Sequence, residues 1–245
     1  MGQIRVYKDH DALIEAAADY VLGCYDQAVE DHDYFAVALS GGSTPRALYE
    51  LLASPERAQH PGWAKVHIFW GDERNVPPEH ADSNYRMARE ALLDQVALPR
   101  SNVHRIQGEL NPAQAAAEYE QELRRFFART GGKIRFDLVL LGLGDDGHTA
   151  SLFPGTLALK ERERAVVANP VPQLDTWRIS LTFPVINDAS HVAFLVSGAA
   201  KAGALVKVLE GPHQPYELPS QLVQPVDGEL VWLLDQDAAA SLSEQ

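Results

Sequence analysis

An apolar run that ends in closely spaced glycines and a histidine lies in the middle of this 245-residue chain. Residues 138–143 are apolar apart from Gly142, a pattern typical of a strand buried on both faces of a parallel sheet. This glycine, with Gly144 and Gly147, lets the backbone turn sharply and approach a ligand closely. In open α/β sheets, ligands bind in the crevice beyond the carboxyl ends of the strands. The segment therefore predicts a parallel sheet with His148 at the mouth of its ligand crevice.

His148 is the candidate catalytic group of this segment, because histidine exchanges protons near neutral pH. We interpret it as a general base; a capping or buried histidine is the alternative. The glycines also match G-x-G-x-x-G, a pattern of dinucleotide sites in which a pyrophosphate rests on the following helix N-terminus. Here Asp145 and Asp146 would repel a pyrophosphate, and Pro154 and Gly155 interrupt any following helix. We therefore favour a catalytic histidine over a nucleotide site.

Apolar segments of strand length alternate with amphipathic segments of helical length along the chain. We predict strands at 4–7, 35–39, 66–70, 136–141, 179–182, 191–196 and 230–234. We predict helices at 11–30, 46–52, 84–95, 112–129 and 198–209, followed by a short C-terminal helix. This alternation implies the α/β class, with a mostly parallel sheet and helices on both faces. Because no repeat or long linker interrupts the pattern, we expect a single domain over residues 1–245.

The charge balance limits the partners of this chain. It has 21 basic and 34 acidic residues, a net charge of −13. Nucleic acid requires a cationic surface, so we expect no nucleic-acid partner. An anionic substrate would need cations gathered locally, where pairing outweighs charges that salt screens beyond about 8–10 Å.

Compartment and membrane association follow from three further features. No apolar run approaches the roughly 20 residues that span a bilayer, and the first residues lack the apolar core of a signal peptide. Cys24 is the only cysteine, which excludes a disulfide within the chain. We expect a cytoplasmic protein without a membrane partner.

A loop rich in glycine and hydroxyl groups follows the strand at 35–39. It consists of Ser40, Gly41, Gly42, Ser43 and Thr44. Exposed backbone N–H groups and hydroxyls beside a helix N-terminus favour anions. Because the Walker pattern G-x-x-x-x-G-K-[ST] is missing, a single phosphate is a better guest than a nucleoside triphosphate. A capped turn without a ligand is the alternative.

Three charged residues, Asp72, Glu73 and Arg74, follow the strand that ends at Trp70. Such a run is often an ordinary solvated turn, but this one should lie at the same sheet edge as His148. The planar guanidinium of Arg74 can donate hydrogen bonds to an oxyanion. The two acids would orient Arg74 or bind substrate hydroxyls.

Two further cations are candidates for binding an anion. Arg178 opens the strand at 179–182, and Lys201 lies in the first turn of the helix that begins after Gly198. A lysine there opposes the helix dipole, a cost that is understandable if Lys201 binds an anion. An exposed surface lysine is the alternative.

Other kinds of chemistry lack their sequence patterns. The chain has no H-E-x-x-H and no C-x-x-C, so we expect neither a metal nor another cofactor. It also has no G-x-S-x-G, which removes the main reason to expect a Ser-His-Asp hydrolase.

Together these motifs resemble the 6-phosphogluconolactonases of the glucosamine-6-phosphate isomerase/6-phosphogluconolactonase family. The resemblance extends over nearly the whole chain and is most specific at residues 142–155; it includes 38–45, 70–76, 83–85, Arg178–Thr182 and Lys201. In the related deaminases, Ile-Ala-Phe-Asn-Glu typically follows the histidine. Here residues 149–153 are Thr-Ala-Ser-Leu-Phe, which favours the lactonases.

The resemblance implies the fold shared by glucosamine-6-phosphate deaminases, ribose-5-phosphate isomerase and CoA transferases. It implies hydrolysis of 6-phospho-D-glucono-1,5-lactone to 6-phospho-D-gluconate in the oxidative pentose phosphate pathway. It also implies that His148 is the catalytic base and that the loop at 40–44, Arg178 and Lys201 hold the phosphate.

A mechanism follows as a hypothesis. His148 takes a proton from the attacking water, Arg74 or backbone N–H groups stabilise the oxyanion, and Asp146 orients the imidazole. Whether Arg74 contacts the oxyanion or the sugar hydroxyls stays open at this point. A deaminase or isomerase acting on sugar phosphates and a non-catalytic sugar-phosphate-binding protein of the same fold are the alternatives. We expect a monomer or a small homo-oligomer.

Overall fold

The computed structural model describes residues 2–60 and 62–243. In this part of the chain the strands are β1 (Gln3–Tyr7), β2 (Phe35–Leu39), β3 (Val66–Trp70), β4 (Asp72–Arg74), β5 (Leu138–Leu141), β6 (Val166–Val171), β7 (Thr176–Leu181), β8 (His191–Val196) and β9 (Glu229–Asp235). The α-helices are α1 (His10–His32), α2 (Ser43–Leu52), α3 (Asn84–Ala88), α4 (Pro112–Phe127), α5 (Phe183–Asn187), α6 (Ala202–Leu209) and α7 (Gln236–Ala239). Single 3₁₀ turns lie at Trp63–Lys65, Arg100–Asn102, Ala128–Thr130, Leu157–Lys160, Pro172–Leu174, Ala199–Lys201 and Pro219–Leu222, and a π-helical turn lies at Arg89–Leu93.

Six strands form one parallel sheet in the order β1-β9-β8-β5-β2-β3. Every residue of β2 and of β5 is buried. Because successive side chains of a strand point to opposite faces, both faces of the central sheet are covered. The expected α/β architecture with a parallel sheet is confirmed.

A second, three-stranded antiparallel sheet in the order β4-β7-β6 was not expected. The charged run at 72–74, a pattern common in solvated turns, is strand β4. Residues 179–181 of the predicted strand at 179–182 belong to the longer β7. Strand β6 lacked a sequence signal because Asn169 and Pro170 interrupt its apolar residues. The second sheet matters for the site, since it sets Arg74 opposite Arg178.

Several predicted helices differ at their ends. Helix α2 begins at Ser43, directly after the glycines, and not at Arg46. The predicted helix 84–95 is α3 followed by the π-helical turn, and the predicted helix 198–209 is the 3₁₀ turn Ala199–Lys201 followed by α6. These are shifts of boundaries, which sequence patterns determine least well.

Two buried tyrosines fix the carboxyl ends of neighbouring strands. The Tyr49 hydroxyl donates to the Ser40 carbonyl (2.9 Å) and accepts from the Ser40 N–H (3.1 Å). Tyr119 does the same with Trp70, with both distances 2.9 Å. Burial raises the pKa of both phenols, so the hydroxyls keep their protons and both roles. The chain thus leaves β2 and β3 in fixed positions.

One hydrophobic core cluster extends from Leu13 in α1 to Ala238 in α7 and includes the central strands. Within residues 2–60 and 62–243, no helix is both long and apolar enough to cross a membrane.

Candidate active site

The turn after β5 places His148 through close backbone packing. The Gly144 N–H donates to the His148 carbonyl (2.9 Å), and the Gly147 N–H donates to the Gly144 carbonyl (3.0 Å). Gly147 has a φ of +79°, in the left-handed region that favours glycine. A Cβ at Gly144 would lie 2.1 Å from Nδ1 of His148. Larger residues at either position would therefore displace the turn or the imidazole.

The imidazole of His148 is paired on one nitrogen and free on the other. Its Nδ1 lies 2.5 Å from Oδ1 of Asp146, which also accepts from the His148 backbone N–H (3.1 Å). Among the residues that the structure describes, Nε2 has no protein partner. Burial acts to raise the pKa of the Asp146 carboxyl, but the bonds and charge of His148 outweigh it and lower this pKa. An ionised Asp146 that accepts from Nδ1–H leaves the Nε2 lone pair available as a base.

The segment after His148 joins it to the second sheet. The Ser151 hydroxyl donates to Oδ2 of Asp72 (2.6 Å), and the Ser151 N–H donates to the Ser180 hydroxyl (3.2 Å). Asn84 donates from Nδ2 to the Asp72 carbonyl (3.0 Å). Asp72 is buried, and its carboxylate connects Ser151 with Asn84. Its predicted contact with substrate hydroxyls stays a prediction.

The loop at residues 40–44 keeps unpaired donors. Gly42 has a φ of +109° and precedes α2, whose first turn has no side-chain cap. The N–H groups that open a helix have no partner within it. The Ser40 hydroxyl is buried and has no hydrogen-bond partner. A Cβ at Gly41 would lie 2.0 Å from Oδ1 of Asn84, so the loop lies directly against the residue that contacts Asp72. The loop and the His148 segment thus meet at one edge of the sheet.

Arg74 and Arg178 are directly opposite each other in the antiparallel pair of β4 and β7. Side chains at opposed positions share a face of the sheet. Both residues are half-buried, and no carboxylate of the described residues forms a salt bridge with either. Burial and then repulsion by Arg74 lower the pKa of the Arg178 guanidinium. Nε of Arg74 is buried without a partner, so the pair has unused capacity for an anion.

Glu73 belongs to β4, and its carboxylate reaches the start of α3, where four donors occupy it. It accepts from the N–H groups of Arg74 (2.7 Å), Asn84 (2.8 Å) and Tyr85 (2.8 Å), and from the Ser83 hydroxyl (3.0 Å). Burial raises the pKa of this carboxyl, although these backbone donors act against the rise. The Glu73 carboxylate thus caps α3, and its predicted contact with substrate stays a prediction.

Replacing Glu73 by glutamine should lower the free energy of unfolding by about 1–3 kcal/mol. The amide nitrogen would face N–H donors and leave buried groups unpaired. Urea unfolding followed by circular dichroism measures the change. The exposed Glu56→Gln is the control and should be neutral. Equal unfolding midpoints for Glu73→Gln and the unmodified chain would show that the cap contributes nothing.

Lys201 lies on the other side of the His148 turn. Its Nζ is 2.6 Å from Oδ1 of Asp145, and its side chain is 32% exposed. The ion pair holds the 3₁₀ turn Ala199–Lys201 beside the turn after β5. The structure therefore brings a third cation to the same edge, and its predicted role with phosphate stays a proposal.

The residues that link the predicted segments were not predicted from the sequence. Ser151 and Phe153 lie within the specific motif, but nothing in their spacing shows that one bonds Asp72 and the other stacks on His148. Asn84 follows the predicted cap Ser83, and only the fold places it between Asp72 and Gly41.

The described residues contain no candidate metal cluster, and a large cavity lies away from this edge. Within residues 2–60 and 62–243, no group of three or more His, Cys, Asp and Glu side chains could hold a metal ion. A cavity of about 730 Å³ lies beside α6 and β9, lined among others by Val208, His213 and Trp232. It contains none of the predicted site residues.

The chain is similar in sequence and in fold to known proteins of one family. Residues 8–232 match the family described as glucosamine-6-phosphate isomerases/6-phosphogluconolactonase. A 6-phosphogluconolactonase of Nostoc sp. is 47% identical over 247 residues, covering 98% of each chain. The solved 6-phosphogluconolactonase of Trypanosoma cruzi is 30% identical with a TM-score of 0.87, covering 100% of this chain and 98% of the other.

A monomeric glucosamine-6-phosphate deaminase, 20% identical with a TM-score of 0.79, shares the fold, covering 98% of this chain and 99% of the other. The predicted likeness of fold to these deaminases is confirmed. Because the family match spans most of the sequence and the Nostoc relative is similar over nearly its full length, this chain belongs to the glucosamine-6-phosphate isomerase/6-phosphogluconolactonase family.

Proposed function

We propose that this protein hydrolyses 6-phospho-D-glucono-1,5-lactone to 6-phospho-D-gluconate in the oxidative pentose phosphate pathway. The observation that carries the proposal is a histidine with Nδ1 bonded to Asp146 and Nε2 free, on a segment that Ser151 joins to the sheet holding Arg74 and Arg178. Similar proteins named 6-phosphogluconolactonase support the choice of substrate.

In the proposed reaction, Nε2 of His148 removes a proton from a water that attacks C1 of the lactone. The carbonyl oxygen becomes an oxyanion, stabilised by backbone N–H groups at the site. When the bond from C1 to the ring oxygen breaks, the protonated His148 returns its proton to that oxygen. A δ-lactone is an activated ester, so a positioned water and a base suffice without a covalent nucleophile.

The phosphate of the substrate is proposed to lie between Arg74, Arg178 and the loop at residues 40–44. Two half-buried guanidinium groups without carboxylate partners, together with the unpaired Ser40 hydroxyl, favour an anion there. This assigns Arg74 to the phosphate, whereas the sequence pattern predicted contact with the oxyanion or the sugar hydroxyls. Lys201 would contribute a further positive charge from the other side of the turn.

The decisive assay follows acid release from freshly made 6-phosphogluconolactone, with the spontaneous rate subtracted. We expect rapid enzyme-dependent acid release. Ammonia release from glucosamine 6-phosphate would indicate a deaminase, and binding of 6-phosphogluconate without turnover would indicate a binding protein. Either result, without lactone consumption, would refute the proposal.

We also propose that the chain forms one domain, works in the cytoplasm and is a monomer or small homo-oligomer. The continuous core and the single cysteine are compatible with this. Sedimentation equilibrium measures the oligomeric state.

A further inference from the structure

We propose that Phe153 is a positioning residue for His148, and that it acts by stacking on the imidazole. The ring centroids are 3.9 Å apart and the planes differ by 26°. Phe153 is buried, with 7% of its surface exposed, while the side chain of His148 is 27% exposed. One face of the imidazole is therefore covered by a fixed apolar ring. The inference rests on the proposed function, in which Nε2 of His148 is the base.

The hydrogen bond to Asp146 does not fix the imidazole by itself. A single bond at Nδ1 leaves the ring free to tilt about the line between Nδ1 and Oδ1, and this tilt would move Nε2. The Phe153 ring opposes the tilt because tilting would break the stacked contact between the two aromatic rings. The Gly144 backbone approaches the imidazole so closely that a Cβ there would be 2.3 Å from Cε1. Asp146, Phe153 and Gly144 together define where Nε2 lies.

The backbone between the two rings is built for this contact. The rings are five residues apart, and the chain reverses at Ala150, whose φ of +48° is unusual for a residue other than glycine. Such a conformation costs about 1–2 kcal/mol and persists only where the surroundings impose it. Leu152 N–H bonds the Thr149 carbonyl (3.0 Å), which closes the reversal.

Phe153 is itself held by the residues that follow. The Thr156 hydroxyl donates to the Phe153 carbonyl (2.8 Å) and accepts from Nδ2 of Asn169 (3.1 Å). Asn169 belongs to β6, so the stacked phenylalanine is anchored to the second sheet. The position of the base is thereby tied to the sheet that carries Arg74 and Arg178.

The test compares Phe153→Leu with Phe153→Tyr. Leucine fills most of the volume but removes the flat ring. We expect kcat to fall about tenfold with little change in KM, because a misplaced catalytic group slows the reaction more than it weakens substrate binding. Tyrosine restores the flat ring, and we expect it to recover kcat to within about threefold of the unmodified enzyme. A general loss of packing would not be rescued in this way.

Phe69→Leu is a matched control. Phe69 is fully buried and stacks on His104 with centroids 4.3 Å apart, so it has a similar histidine partner outside the site. We expect this variant to lose stability and keep kcat. Equal losses of kcat in Phe69→Leu and Phe153→Leu would overturn the proposal, as would an unchanged kcat in Phe153→Leu.

Proton NMR of the unmodified enzyme gives a readout that does not depend on variants or turnover. Protons of the His148 imidazole should be shifted upfield by the ring current of Phe153 and show Overhauser contacts with it. Missing contacts would overturn the positioning role. If lactone is not consumed while these contacts are present, the proposed function fails and the stacked arrangement stands.

Discussion

Replacing His148 by alanine should lower kcat by about 10²- to 10⁴-fold while KM stays within a few fold, because general-base catalysis typically contributes that much. The substrate is gripped mainly through its phosphate in our proposal, and His148 acts on the attacking water. Its loss therefore removes transition-state stabilisation and leaves ground-state binding. Initial rates of acid release, corrected for spontaneous hydrolysis, measure both constants.

The exposed His213→Ala is the matched control and should keep both constants. Binding of 6-phosphogluconate to the His148→Ala variant, measured by calorimetry, separates a catalytic defect from a collapsed site. Unchanged turnover in His148→Ala would remove the general base from the mechanism. A large rise in KM at unchanged kcat would instead assign His148 to binding.

The position of His148 in the turn after β5 was predictable because its signals are local. An apolar strand, closely spaced glycines and a histidine follow each other within eleven residues, and the fold keeps that order in space. The loop before α2 was predictable for the same reason, since Gly42 and the start of the helix are adjacent. Which nitrogen of His148 is free became clear only from the contact with Asp146.

The arrangement of the second sheet was not predictable, because its pairings join distant parts of the chain. Arg74 and Arg178 are 104 positions apart, and β4 consists only of charged residues that look like a turn. The contacts of Glu73 were also not predictable from its position in the sequence. A carboxylate after a strand has the same sequence pattern whether it binds a ligand or caps a helix that starts eleven residues later.

The Phe153 contact depends on a backbone conformation that sequence does not reveal. Ala150 is a good helix former, yet here it adopts a left-handed φ because the surrounding turn imposes it. Tertiary packing thus determines the position of the imidazole, although the helix propensity of Ala150 favours a different backbone conformation.

The arginine pair gives the second large prediction. Arg178→Met should lower kcat/KM for 6-phosphogluconolactone roughly 30- to 1,000-fold, as expected when about 2–4 kcal/mol of buried charge pairing is lost. Arg74→Met should have a similar effect. Part of the loss should fall on kcat, because binding energy from the remote phosphate helps to orient C1.

Unphosphorylated glucono-δ-lactone separates phosphate binding from chemistry. Both methionine variants should hydrolyse it at the rate of the unmodified enzyme, since that substrate has no group for the arginines to hold. The exposed Arg100→Met should leave both substrates unaffected. Equal losses for both lactones would instead place the affected arginine at the oxyanion.

Stability provides an independent check on the same pair. Arg74 and Arg178 occupy opposed positions of the second sheet, and Arg74 repels the Arg178 guanidinium, so removing one should raise the melting temperature in phosphate-free buffer. Inorganic phosphate should raise the melting temperature of the unmodified enzyme, because a ligand that binds only the folded state stabilises it. In Arg178→Met this second effect should shrink strongly. Like charges held together without a ligand should destabilise the fold. A methionine variant that is less stable and is still stabilised by phosphate would therefore show that the arginines serve packing.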